Sequence, residues 1–414
     1  MASRNFKAYI IWFVGSAFYL YQYFIRVIPS VIEHDLETNF LATAAQVATA
    51  VGMYLLVYAP MQLVVGVLFD TLGVRKLFLH AATLLTVSCL LPLIPADTLF
   101  YFGLGRAFMG LASAFSFVGV MYLCTQWFPR EKLAMLSGLT SGLGVLGAIL
   151  AQSWLPKLKA GYGYNNIWII SIIVGMIVVA FIFKYIPKDK TASRAEKQAS
   201  VWMQCKEHIV YIGKQWRTWN IGLITGALYM PFAVFADFLS FPYFTKICSF
   251  SSTQAAILVA ILNLSWAVGS PVVGWISDVA QSRKVPLVVS GFLTALSFAL
   301  LLLCHGTSFG VTAFLMALIG VCAGGQAIGF IACAELNPED THASSIAFIN
   351  MIVMGFCGVA QVLIGHSISF FKTLGQLSFA YQMGLGLISI LTLACSFLFL
   401  FSFNDKASSV SADL

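Results

Sequence analysis

The sequence predicts an all-α membrane protein in which twelve transmembrane helices form two six-helix, pseudo-symmetric halves. Three observations predict it: the composition, a series of long uncharged apolar runs, and an internal repeat. Of the 414 residues, 60% are apolar and only 9% are Asp, Glu, Lys or Arg. Soluble domains carry about 25% charged residues. A surface this poor in charge excludes a soluble enzyme, a disordered chain and a nucleic-acid binder, and no basic stripe for a polyanion is present. The mean hydropathy of +0.89 agrees. Twelve spans of about 20 residues each leave about 170 residues for loops and overhangs.

The apolar runs place spans near 9–32, 44–69, 77–95, 98–124, 133–155 and 166–186, then near 218–244, 254–276, 285–304, 309–333, 344–368 and 377–402. The first follows a basic flank, Arg4 and Lys7, and runs well past the length of a signal-peptide core, so it is expected to be retained. Positive residues set the orientation. With the N-terminus inside, inner segments hold Arg4, Lys7, Arg75, Lys76, Arg130, Lys132, Arg283, Lys284 and the 187–217 cluster. Outer loops hold Lys157, Lys159, Lys246 and Lys372. Both termini are therefore expected in the cytoplasm. The acidic Glu335, Glu339 and Asp340 fall on an inner loop but count little in this rule. Three regions follow: a first half, 1–186, a linker, 187–217, and a second half, 218–414. In the linker, Val201, Cys205, His208, Ile209 and Ile212 recur at helical spacing, which suggests a helix lying on the inner membrane surface; a solvated flexible linker is the alternative.

The nine cysteines include no CxxC pair, so they predict neither a disulfide framework nor a metal site, and they read as small packing residues. No cofactor is expected. The single sequon, Asn263-Leu264-Ser265, lies inside a span, which favours a bacterial inner membrane over a glycosylated surface.

The halves repeat each other. Gly66, Asp70, Arg75 and Lys76 recur as Gly274, Asp278, Arg283 and Lys284, displaced by 208 residues at all four positions. Pro129 pairs with Pro338, and Ala151-Gln152 with Ala360-Gln361, at 209. A repeat of six plus six predicts a pathway between the halves and a substrate site near the midplane.

These residues resemble a known family. GVLFDTLGVRK, from Gly66 to Lys76, is similar to the loop signature G-x-x-x-D-x-x-G-x-[RK]-[RK] of the major facilitator superfamily, and GWISDVAQSRK is a second copy with Gln281 where the first has Gly73. GRAFMG, with Arg106 and Gly110, resembles that superfamily's fourth-span signature. The resemblance implies that Asp70, Arg75 and Lys76, with Asp278, Arg283 and Lys284, form a conformational latch at the inner surface. YLYQYFIRVIPSV resembles the first span of organic-anion and phosphate-ester branches, though Ile25 stands where they often carry an acid. Its tyrosines also resemble nutrient permeases of intracellular gamma-proteobacteria. Span 5 has Gly138, Gly142, Gly144 and Gly147 but lacks the Gly-Pro of antiporter branches, which leans the reading toward import.

Ionisable residues inside a membrane are expensive and mark function. Tyr19, Gln22, Tyr23, Arg26, Ser30 and Glu33 form a polar stripe on span 1. Arg26 is the candidate anion-binding group, because its planar fork of donors suits a carboxylate or phosphate. Arg106 is either a second cation for the substrate or a helix-bonding residue. Asp237 is placed by the repeat near the depth of Arg26, and with Glu33 it is a candidate proton carrier. Thr225, Tyr229, Ala233, Asp237 and Ser240 are read as one face of span 7. Neutral candidates are Tyr54, Tyr58, Tyr229, Asn263, Trp266, Gln326, Asn350 and Gln361, and each is equally a candidate for interhelical hydrogen bonding. Trp12, Trp127 and Trp168 are expected at the membrane interface.

Expected function follows: a monomeric secondary transporter in the bilayer, moving a small anionic or zwitterionic solute by alternating access, with the proton as coupling ion and import as the direction. Export of a metabolite or siderophore is the alternative. No P-loop is present for direct use of ATP, and no catalytic constellation for a membrane enzyme is visible.

Overall fold

The computed structural model describes residues 2–95, 98–188, 195–304, 306–338 and 341–403. The described residues are helical almost throughout, and twelve helices are long and apolar enough to cross a membrane. In the lipid interior each backbone polar group must be bonded within the chain, and a helix does this segment by segment.

The first compact unit comprises Met1–Ala42 and Ala50–Cys205. Its helices are α1 (Ala2–Arg26), α2 (Ile28–Asn39), α3 (Ala44–Leu72), α4 (Val74–Ser88), α5 (Phe100–Trp127), α6 (Arg130–Tyr162) and α7 (Tyr164–Tyr185), followed by α8 (Ala195–Lys214). α1 packs on α5, α6 and α7, and α4 on α5 and α7. The core is aromatic: Phe18, Phe69, Phe78 and Phe102 are fully buried, and the rings of Phe18 and Phe69 meet Phe78 edge to face. Ile173, Ile177 and Phe181 of α7 are exposed, as a lipid-facing stripe requires.

The second unit comprises Thr43–Thr49 and Lys206–Leu414. α9 (Trp216–Met230) runs into π-helical turns over Pro231–Leu239, a short α10 (Ser240–Pro242) and further π turns over Tyr243–Ile247. Then come α11 (Ser252–Val279), α12 (Lys284–Leu303), α13 (Phe309–Ala323), α14 (Gln326–Leu336), α15 (His342–Leu374) and α16 (Leu377–Ser402). Phe235, Tyr243, Phe244 and Phe298 fill its core. Ser251 and Gln254 close a capping box at the start of α11.

Prolines decide where spans break. Pro29 restarts the first span as α2, and Pro231 and Pro242 stand at the heads of the two π segments. A proline offers no N–H, so the preceding turn loses a bond and the ladder can shift register. In span 7 it shifts by one residue: the Ser240 N–H reaches Phe235 and the Cys248 N–H reaches Tyr243, five residues back in each case. The single-face reading of span 7 therefore fails past Pro231, because wider turns rotate each residue by less than an α-helix does. Ser240 is fully buried and donates to the Ala236 carbonyl, away from any polar stripe.

Turns between helices are short. Gly73 alone separates α3 from α4 with φ 83°, and its repeat partner Gln281 also has positive φ, 48°. Gln281 thus carries strain that a glycine would not, offset in part by its amide bond to the Asp278 carbonyl at 2.7 Å. α6 continues to Tyr162, so Lys157 and Lys159 are helical and not loop residues.

One sequence expectation is corrected. Trp168 is not an interface anchor: it is fully buried against Phe102 and Tyr164 inside the first unit. The linker does contain a helix, α8, but Ile212 from its apolar set is fully buried within the protein, near the Gly213 contact with Phe348. Val201 and Cys205 lie outside the described side chains.

Candidate functional site

The break in the first span builds the site of the first unit. With Pro29 lacking an N–H, the Ile25 carbonyl has no helical donor four residues on. The Ser30 N–H turns to Val27 at 3.1 Å, which frees the Arg26 carbonyl as well. Arg106 of α5 fills both vacancies, donating from Nη1 to the Ile25 carbonyl at 3.4 Å and from Nη2 to the Arg26 carbonyl at 3.2 Å. Arg106 is 2% exposed, so these bonds are made in a dry setting where they count most. The geometry gives Arg106 a positioning place beneath the break and not a place in an open binding surface.

Arg26 is 5% exposed and is bracketed by rings. Its guanidinium carbon lies 5.3 Å from the Tyr23 centroid and 6.0 Å from Tyr54. Arg106 approaches the Tyr54 ring to 4.6 Å. One tyrosine thus sits between two cations, an arrangement that ring quadrupoles favour. The Tyr54 hydroxyl donates to Gln22 Oε1 at 2.8 Å, and Tyr58 stacks on Tyr54 at 6.0 Å. Tyr19 meets Tyr23 at 5.0 Å and Phe117 at 5.3 Å. The predicted residues Tyr19, Gln22, Tyr23, Arg26, Tyr54, Tyr58 and Arg106 therefore form one connected cluster.

Glycines allow this convergence. A Cβ on Gly110, one turn beyond Arg106, would stand 2.1 Å from the Tyr54 carbonyl oxygen. A Cβ on Gly147 would stand 2.3 Å from that of Leu20. The GRAFMG pattern acquires a physical reading: the glycine seats α5 on α3, and the arginine on the same face then reaches the broken span. Glu33 is 4% exposed on α2. Asp35 pairs with Lys159 at 2.5 Å, and Gln152 Nε2 donates to Ser30 Oγ at 3.4 Å. Phe117 lies outside the sequence-based set because a lone ring on a long helix carries no spacing signal; Gln152, also outside it, does have one, the repeat that pairs it with Gln361.

In the second unit, Tyr229 stacks on Phe232 at 5.9 Å and Phe232 meets Trp266 at 5.3 Å. Among the described residues, the Trp266 indole N–H and the Gln361 amide nitrogen are buried without a hydrogen-bond partner. Asn263 bonds only its own helix, to the Val259 carbonyl at 3.0 Å. Gln326 is buried, Asn350 half-buried, and Asp237 half-buried within the π segment.

The repeated loop signature takes different forms in the two units. Arg283 Nε and Nη2 hold both oxygens of Glu335, at 3.1 and 2.9 Å, and Nη1 reaches Asp278 at 2.6 Å. Hydrogen bonding to Glu335 above all, opposed next by burial and reinforced by the bond to Asp278, holds the Arg283 guanidinium protonated above its ordinary range. The sequence marks Glu335 as an exception to the charge rule and an alternative proton carrier to Asp237, and tertiary packing of α14 against this turn gives it a partner. In the first unit Arg75 donates to the Phe183 carbonyl at 2.6 Å and lies 5.0 Å from its ring. Asp70 ends α3, with its side chain outside the described residues. Lys76 is exposed and Lys284 half-buried. Among the described residues no group of three His, Cys, Asp or Glu side chains is placed to hold a metal.

The Major Facilitator Superfamily model matches residues 11–361. The "Probable nitrate/nitrite transporter NarK2" of Mycobacterium tuberculosis is 25% identical over 62% of this chain and 63% of its own; this chain thus spans less than two thirds of that relative. The "Inner membrane transport protein RhmT" of Escherichia coli is 25% identical over 84% of each chain. A bacterial homologue of the human lysosomal transporter Spinster, in an inward-facing crystal structure, superposes with a TM-score of 0.74 at 15% identity over 97% of both chains. The nucleoside transporter NupG gives 0.73 at 16% identity, covering 97% of this chain and 100% of that one.

Proposed function

The chain belongs to the Major Facilitator Superfamily of membrane transporters, and from that premise we propose that it is a secondary active transporter importing a small anionic or zwitterionic solute by alternating access. The observation that carries the reading is Arg26: a guanidinium 5% exposed, set among Tyr23, Tyr54 and Gln22 and braced from below by Arg106. A cation kept at that depth is costly, and its fork of donors suits a carboxylate or similar oxyanion. The name of the mycobacterial relative, a nitrate/nitrite transporter, supports a small anion.

We further propose that the protein lies in a cell inner membrane with both termini cytoplasmic, and that Asp237 or Glu33 carries the coupling proton. The half-buried Asp237 on a π segment supports the first choice, since π turns recur at functional sites.

The test is uptake into proteoliposomes of pooled amino acids, nucleosides and organic anions, with and without a pH gradient. Arg26→Lys keeps the charge and loses the fork, and is expected to cut uptake at least tenfold with insertion intact; uptake at the wild-type level would remove Arg26 from anion binding. Asp237→Asn is expected to abolish gradient-driven accumulation and to spare exchange of substrate for substrate. Continued accumulation on a gradient would pass the role to Glu33, to Glu335 or to a uniport.

A further inference from the structure

Two cysteines that the sequence places far apart lie at neighbouring helix ends of the second unit, both beside Tyr243. Cys248 follows the last π turn of span 7, and Cys304 follows α12; each lies just past the end of its membrane span. The two helix ends are tied together. The Tyr243 hydroxyl donates to the Leu301 carbonyl at 3.0 Å, one turn before Cys304. The Cys248 N–H reaches back to the Tyr243 carbonyl at 3.1 Å, and the Cys304 N–H to Leu300 at 2.8 Å. The Cys248 thiol lies beside the Tyr243 hydroxyl oxygen and the Gly306 N–H, the latter in the turn that begins at Cys304. Cys248 is 9% exposed and Cys304 half-buried, both as thiols. Nothing in the transport site uses either residue.

We propose that Cys248 and Cys304 are a redox-active thiol pair that closes to a disulfide joining the end of span 7 to the end of α12. The proposal rests on the topology proposed above, which sets both helix ends on the outer, oxidising side. The oxidant is a thiol-exchange disulfide, either a small molecule or a protein. Cys304, the more accessible sulfur, attacks it as thiolate and forms a mixed disulfide with loss of one thiolate. Cys248 then attacks the Cys304 sulfur and displaces the second thiolate. The pair loses two electrons to the oxidant, and the two thiol protons pass to the two released thiolates. Burial pushes the Cys248 thiol above its ordinary range, and the Gly306 N–H and the Tyr243 side chain beside it partly offset that. Cys248 is thus the protected, resolving member and Cys304 the entry point.

Purified full-length protein is incubated with oxidised glutathione, quenched in acid, alkylated, digested and examined by mass spectrometry, and the same analysis is made on intact cells. The expected product is a peptide pair joined through Cys248 and Cys304, two hydrogens lighter than its parts, lost in Cys304→Ser and converted to two alkylated peptides by dithiothreitol. In Cys248→Ser, a mixed glutathione disulfide is expected to persist on Cys304, because the resolving thiol is gone. The joined protein is expected to unfold at a higher temperature than the reduced one. Two separately alkylated thiols in the oxidised purified protein overturn the proposal. A membrane-impermeant maleimide applied to intact Cys248→Ser cells reports the side of Cys304. Pairing in the purified protein without outside labelling overturns the orientation, and with it closure in the cell, while the transport reading stands.

Discussion

Arg106 donates to the carbonyl of Ile25, the acceptor that Pro29 deprives of its helical donor, and to the neighbouring Arg26 carbonyl. The break in the first span and the buried arginine of α5 are therefore one device. Without Arg106, two carbonyls would be buried unpaired in a setting where each such loss costs about 1–3 kcal/mol. With it, the last residue of α1, Arg26, is held at a fixed point against Tyr23 and Tyr54.

Arg106→Lys leaves one compact donor where a planar fork served two acceptors. Thermal unfolding in detergent is expected to show a loss of about 1.5–3 kcal/mol. Pro29→Ala returns an N–H to Ile25, so the double variant is expected to lose less than the sum of the two single changes. Strict additivity in that cycle would separate the two residues.

Gly110→Ala sets a Cβ 2.1 Å from the Tyr54 carbonyl oxygen, a position no side-chain rotation can relieve. A loss of about 1–3 kcal/mol is expected, as for overpacking. Gly142 of α6 has nothing within 4 Å, and Gly142→Ala is expected to leave stability unchanged or raise it by up to about 1 kcal/mol. Equal effects at the two positions would mean that α5 and α3 are not in backbone contact.

The two repeat turns make opposite predictions. Gly73 has φ 83° and ψ 151°, a conformation nearly confined to glycine, so Gly73→Ala is expected to cost about 1–3 kcal/mol. Gln281 pays in the same coin at φ 48°; Gln281→Gly is expected to gain less than about 1 kcal/mol, since the relieved strain outweighs the lost amide bond. A fall in the unfolding midpoint of Gln281→Gly would show that the amide bond dominates.

Arg283→Lys and Glu335→Gln test the turn between α11 and α12. Both remove the paired bonds seen at 3.1 and 2.9 Å, and both are expected to change the rate of substrate exchange more than substrate affinity. Arg283 is held protonated above its ordinary range. A raised pKa contributes stability in full below the unfolded value and loses it only as pH rises past the folded one. The arginine is therefore expected to add no pH dependence between about pH 6 and pH 9, and exchange rates compared between wild type and Arg283→Lys across that window would reveal any.

Composition, run length and the displaced repeat were enough to determine the class of this protein, its twelve spans and the residue types gathered on the first span. They suffice because a bilayer admits few structures, and each span announces itself by its own apolar length. The stripe from Tyr19 to Arg26 and the pair Tyr54 and Tyr58 were legible for the same local reason, helical spacing. Partnership was not. Whether Arg106 meets a ligand or a broken helix depends on Pro29, some eighty residues away, and on a glycine contact between α5 and α3. Whether Glu335 is a loop acid or the partner of Arg283 depends on how α14 packs against a turn in a different hairpin. The π turns of span 7 and the burial of Trp168 likewise follow from what surrounds them. A periodic pattern reports what one helix wants from its environment, and only the packed structure decides which groups at long sequence separation satisfy it.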